Sequence, residues 1–151
     1  MDVRTSTMEI TTNGYTELID LTPKIEAIIR REGFDEGMAG VFAIGSTCAI
    51  STIEYEPGLI HHDIRNFWEQ LAPYHHPYHH NRTWGDNNGA AHIRSFLTGT
   101  SQIFPCVNGK LLLGTWQQIV LIDYDTQPRH RRIIIQLIGH FKSALSPHSS
   151  D

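Results

Sequence analysis

Hydrophobic and polar positions alternate along residues 3–12, a Thr- and Val-rich stretch, and that alternation predicts a strand. Thr22-Pro23 then reads as an N-cap followed by proline at the first helical position, with Ile25, Ile28 and Ile29 at helical spacing. Gly33 is placed to stop that helix. Residues 40–53 are apolar, β-branched and poor in charge, which predicts one buried strand or two joined at Gly45-Ser46. Pro57 opens a second helix in which Ile60, Ile64, Phe67, Trp68 and Leu71 form one apolar stripe, and Pro73 ends it. Residues 74–89 carry no apolar period and read as a loop; a short helix is expected over 90–97, with Gly99 just beyond it. Strands follow at 101–107 and 110–113 around Asn108-Gly109, a tight hairpin signal, and again at 115–123 and 132–138. Six or seven strands and three helices result. The last strands follow one another without helices between them, so the class is α+β with an antiparallel sheet.

Length and composition narrow the reading further. A chain of 151 residues with 40% hydrophobic and 19% charged residues fits one domain with a real core, assigned to residues 1–141, and a polar tail at 142–151. The net charge of -4 disfavours non-specific nucleic-acid binding. The one basic run, RHRR at 129–132, reads as a solvated turn before a strand rather than a phosphate site. No apolar run approaches the roughly 20 residues that span a bilayer, and no secretory pattern opens the chain. Cys48 and Cys106 lack metal or redox spacing and sit in apolar surroundings, so they are expected to be packed thiols in a reducing, cytoplasmic compartment.

The chemistry is concentrated in one place. Five of the ten histidines lie between Tyr74 and Arg94, in a segment rich in Pro, Gly, Asn and Asp. Imidazole binds transition metals and moves protons near neutral pH. The alternative is a set of solvated or hydrogen-bonded loop histidines. Asp86 could be a metal ligand, a partner orienting a histidine or a general base; equally, Gly85-Asp86-Asn87-Asn88-Gly89 is turn chemistry. His61 and His62 flank the apolar stripe of the long helix and are expected in solvent.

Three segments carry a resemblance: GSTCAISTIEYEPG, YHHNRTWGDNNGAAHIRSFLTGTS and NGKLLLGTWQQIVLIDYD. Together the chain resembles the YjbQ family, also described as secondary thiamine-phosphate synthases, over about residues 3–140. The resemblance implies an antiparallel sheet curved into a half-barrel with helices packed on it. It also implies a homotrimer, and a secondary activity that condenses a pyrimidine diphosphate with a thiazole phosphate. His80 and His92 fall on its Tyr-x-His and Ala-His-Ile positions and, with Asp86, would hold a divalent metal, zinc by preference. His92, Asp86 and Glu54 would be the acid/base groups. Glu54 and Glu56 match its acidic stretch loosely, and Glu56 equally suits the first turn of a helix. Ser46, Thr47, Thr100 and Ser101 would contact a small phosphorylated substrate, and Trp116 and Gln117 of its GTWQ motif would hold a flat ring and its edge. Ordinary strand-end hydrogen bonding or a simple turn for the hydroxyls, and core packing for Trp116, are the alternatives. The chain departs from the pattern at Gly45, where the family has histidine. A metal-dependent hydrolase and a non-catalytic metal- or ligand-binding trimer use the same residues and stand as the rival functions.

Overall fold

The computed structural model describes residues 1–142, so the polar tail read at 142–151 lies, apart from Lys142, outside them. Eight strands form two antiparallel sheets. β1 (Asp2–Thr12), β8 (Arg129–Phe141), β3 (Phe34–Ile44), β5 (Ser101–Val107) and β6 (Lys110–Leu111) hydrogen-bond in that order. The second sheet runs β2 (Glu17–Asp20), β7 (Gln118–Asp123), β4 (Cys48–Ile53). The helices are α1 (Thr22–Glu32), α2 (Ile64–Leu71), α3 (His79–Trp84) and α4 (Gly89–Thr98), and a π-helical turn, Leu59–Asp63, leads into α2. The antiparallel sheet curls into a half-barrel, as expected of an α+β chain with this order of strands.

Alternation places the core. Ala39, Val41 and Ala43 of β3 point inward with Ile133, Ile135 and Leu137 of β8 and Phe104 of β5, and they meet Ile25, Ile28 and Ile29 of α1. Burying each such large aliphatic side chain contributes roughly 1.5–3 kcal/mol. β7 is buried on both faces: Ile119 and Leu121 join this core, while Val120 and Ile122 join a second cluster with Ala49, Ile60, Trp68 and Ala91 under the helices. Two-sided burial explains why QIVLID reads as an unbroken apolar run. At Gly37 and Gly139, paired across β3 and β8, a Cβ on Gly37 would lie 2.2 Å from the Ile138 carbonyl oxygen. Only glycine allows that approach.

Several expectations are corrected. Strand β3 starts at Phe34, six residues before the apolar run, because pairing with β8 overrides its charged, glycine-containing opening. Leu21, not Thr22, is the N-cap; the Thr22 hydroxyl instead accepts the Ile119 N–H at 2.8 Å. The π-helical turn shifts the phase of the long helix, so Ile60 and Trp68 are buried while Phe67 and Leu71 of the expected stripe are exposed. Residues 115–117 lie outside β7, leaving Trp116 exposed rather than packed in a strand. The loop at 74–89 contains the six-residue α3.

The largest revision concerns RHRR. These residues open β8 rather than a solvated turn, and Arg131 is buried. Its Nε and Nη2 each donate to Asp123 at 2.7 Å, and Nη2 also donates to the Thr47 hydroxyl at 2.8 Å. Arg131 belongs to the five-stranded sheet, Asp123 to the three-stranded one and Thr47 to the turn between β3 and β4, so one guanidinium ties both sheets to that turn. Replacing Arg131 by Met strands a buried carboxylate, and urea unfolding is expected to show a loss of about 3–5 kcal/mol. An unchanged midpoint would show that the sheets do not need this tie.

Candidate functional site

The segment 74–94 folds back on itself. Asn81 Oδ1 of α3 accepts the N–H of Gly89 at 3.0 Å, the first residue of α4. A Cβ on Gly89 would stand 2.7 Å from the Tyr78 Cβ, so glycine permits the two short helices to close. Closure sets the ring of His80, in the first turn of α3, against that of His92, in the first turn of α4, with centroids 4.5 Å apart. His80 Nδ1 lies 3.3 Å from Asp86 Oδ1. The three residues singled out for chemistry are therefore brought together, while His79, His75, His76, His61 and His62 remain exposed.

Three atoms of this loop are buried without a hydrogen-bond partner: His80 Nδ1, Asp86 Oδ1 and Asn88 Oδ1. Such atoms are satisfied by a cation, a water or an imidazole proton. Two imidazoles and a carboxylate suit a divalent ion such as zinc. As they stand, no three His, Cys, Asp or Glu side chains among the described residues are gathered to hold an ion. Burial depresses the His92 imidazole below its ordinary range, and the neighbouring His80 adds to this; Asp125, Asp86 and the Ser46 backbone oppose it. His92 is thus a neutral base at neutral pH. It lines a cavity of about 470 Å³ with Gly45, Ser46, Ser95, Phe96 and Thr100.

The other expected contacts divide. Ser46 and Thr100 share the His92 cavity. Ser101 is an exposed residue opening β5. The Thr47 hydroxyl donates to Asp125 at 2.8 Å and accepts from Arg131, so the fold uses it. Glu54 and Trp116 line a different cavity of about 420 Å³ with Asp20 and Tyr55. Gln117 is turned onto Gly114 and the Thr52 hydroxyl. Both Glu56 oxygens accept N–H groups, from Gly58 and Leu59, which holds its carboxyl below the usual range and matches the helix-start reading. Burial pushes the Cys48 thiol up to about 11, the state of a packed, unreactive cysteine.

The comparisons with known proteins agree with this fold. The family model described as UPF0047 protein YjbQ-like matches residues 6–140. The chain belongs to the UPF0047, YjbQ-like family. A UPF0047 protein of Methanothermobacter thermautotrophicus is 37% identical over 92% of this chain and 94% of its own length. Another, from Archaeoglobus fulgidus, is 38% identical over 87% and 100% respectively. Among solved structures, a hypothetical protein of Aeropyrum pernix superposes with a TM-score of 0.84 at 31% identity, covering 91% of this chain and 99% of its own. A YbjQ-like protein of unknown function from Sulfolobus solfataricus gives 0.82 at 30% identity, covering 92% and 100%.

Within this YjbQ-like chain, the structure shows what Gly45 leaves room for. A Cβ there would lie 2.9 Å from Arg131 Nη1 and 3.0 Å from Cys48 Sγ. The guanidinium therefore borders the space in which a histidine side chain would begin. Sequence reasoning missed four buried charged residues: Arg94, Asp123, Asp125 and Arg131. The available signal was a charged residue inside an apolar run, as in VLIDYD and IRSFL.

Because the folded pKa of His92 is lowered, its protonation opposes folding. The stability it contributes is complete above about pH 6.5, its unfolded value, and falls as the pH drops below that. NMR titration of metal-free protein is expected to place the His92 midpoint below 6.5, and His80→Gln is expected to move it part of the way back. A midpoint at or above the free value would remove the neutral-base assignment.

Proposed function

We propose that this chain is an enzyme acting on a small phosphorylated heterocycle, with a thiamine-phosphate synthase condensation as the specific reaction. The observation that carries the reading is the close, tilted approach of the His80 and His92 rings, with Asp86 at 3.3 Å from His80, beside the cavity that Ser46 and Thr100 line. In the condensation the bond from the pyrimidine methylene carbon to the diphosphate oxygen breaks and its electron pair leaves with diphosphate. The thiazole nitrogen supplies the pair for the new carbon–nitrogen bond. In this reading the Ser46 and Thr100 hydroxyls donate to phosphate oxygens, and Asp86 orients His80 toward the same group. His92, neutral, accepts or returns a proton at the leaving oxygen. Were a divalent ion bound instead, His80, His92 and Asp86 would have to draw together to hold it, and it would supply the positive charge for the departing diphosphate in place of proton transfer at His92.

The test is metal analysis and substrate turnover on tag-free protein, with His80→Ala and His92→Ala alongside. About one zinc per chain, lost in both variants, and condensation reduced at least about 100-fold are expected. Unchanged turnover in both variants would sink the site assignment. Hydrolysis of phosphate esters without condensation would redirect it to a hydrolase. Ligand binding without any turnover favours a binding protein, the reading that Gly45 in place of the family histidine supports.

A homotrimer accompanies this reading. Met38, Phe42 and Ile44 of β3, Ile103 of β5 and Ile138 of β8 are exposed together on the outer face of the five-stranded sheet. Apolar patches of this kind mark contact surfaces. Sedimentation equilibrium is expected to give three chain masses, and Phe42→Glu on this face to shift the species toward monomer; a monomeric wild type overturns it.

A further inference from the structure

Gly14, Tyr15 and Thr16 are consecutive left-handed residues, with φ of 79°, 51° and 62°. Gly14 must be glycine, since a Cβ there would meet the Asp125 carbonyl oxygen at 2.3 Å. For tyrosine and threonine the left-handed backbone costs free energy and persists only where something holds it. Thr16 has its return: it is buried, its hydroxyl accepts from Arg94 Nη1 at 2.8 Å, and it lies 3.1 Å from the Tyr74 hydroxyl. The Tyr15 N–H donates to the Asp125 carbonyl at 2.7 Å, yet its side chain is 54% exposed. A strained backbone thus presents an aromatic ring to open space.

That space is a cavity of about 520 Å³, a size that takes a small ligand. Tyr15 meets Tyr74 edge-on, with centroids 5.3 Å apart. Tyr74 is fixed: its hydroxyl donates to the Tyr124 carbonyl at 2.8 Å, and the Arg94 guanidinium lies 3.9 Å from its ring centroid. Tyr78 is held by donation to the Pro73 carbonyl at 2.8 Å. The polar side of the cavity includes His75, His76, Asn81, Arg82, Asn87 and Thr126. Asn81 follows His80 and Asn87 follows Asp86 in the chain, so the cavity and the histidine site share a loop.

We infer that the cavity walled by Tyr15, Tyr74 and Tyr78 seats the planar ring of an aromatic heterocycle that carries an anionic group. The tyrosines supply rigid ring surface, the asparagine amides meet hydrogen-bonding edges, and Arg82 supplies positive charge for the anion. The inference rests on the proposed function for its ligand class and deepens it by assigning the ring a place. Tyr15 is held out at an energetic cost for contact with that ring.

Calorimetric titration with thiamine monophosphate and, separately, inorganic pyrophosphate tests the seat on wild type, Tyr15→Gly and Tyr15→Phe, with thermal melts of each. Tyr15→Gly is expected to bind thiamine monophosphate about tenfold or more weakly, with pyrophosphate binding unchanged and a melting temperature no lower than wild type. Tyr15→Phe is expected to bind as wild type does. Equal binding by Tyr15→Gly overturns the seat and leaves the phosphate reading intact. So does a wild type that binds pyrophosphate but not thiamine monophosphate. A Tyr15→Gly protein that melts well below wild type shows the ring serving the fold and overturns the seat too. Binding of neither probe by the wild type overturns both the seat and the proposed function.

Discussion

One buried guanidinium bonds two sheets that share an apolar core to the turn between β3 and β4. Arg131 is the point where β8, β7 and the β3–β4 turn meet, and its bonds to Asp123 and Thr47 leave no slack in their spacing. Beside it, burial raises the Asp125 carboxyl, but hydrogen bonds from Arg129 and Thr47 outweigh that and hold it below the usual range. Two carboxylates and two arginines at one corner are costly to desolvate, and the geometry offsets the cost because every carboxylate oxygen of Asp123 and Asp125 finds a donor. The backbone that leaves this corner enters the functional region in two directions. One is the Gly45–Ser46 turn at the His92 cavity. The other is the Asp125 carbonyl that holds Tyr15.

A second buried arginine does the same on the other side. Arg94 of α4 donates to the Ala72 carbonyl, to Thr16 and to Glu69, and lies over Tyr74. It therefore fixes α4, which carries His92, against α2 and against the strained turn at Tyr15. The histidine pair and the tyrosine cavity are loop features, but both hang on helices and carbonyls whose positions these arginines determine. The soft chemistry sits on a rigid frame, as a site needs if donors are to stay aligned.

Much of this was legible in the chain. Strand β1 follows from alternation and helix α1 from its isoleucine spacing, while β8 was legible only from Arg132 onward. The turn at Gly45-Ser46 and the hairpin at Asn108-Gly109 are where their glycines put them. The imidazole cluster in a segment too polar for a core element marked the loop, and the family pattern singled out His80 and His92 within it; the structure sets their rings 4.5 Å apart, with Asp86 3.3 Å from His80. What failed did so for physical reasons. The long helix carries a π-helical turn, and one extra residue per turn rotates Phe67 and Leu71 off the expected stripe. Thr47 looks like a phosphate contact until Arg131 and Asp125 claim its hydroxyl. RHRR looks solvated because charge density is a local property and burial is not.

The amino-acid sequence by itself determined the class, the alternation that makes a sheet and the place of the histidine cluster, through side-chain period and turn chemistry, and its motif segments carried the likeness to the family. Only the tertiary structure decided which polar groups are buried, which hydroxyls are free, and that Tyr15 is held out over a cavity. Each of those is set by contacts between residues far apart along the chain: Arg131 with Thr47, Arg94 with Thr16, Asp125 with Tyr15. No local pattern encodes such pairs, because the free energy that selects them appears only when the sheets and helices close on one another.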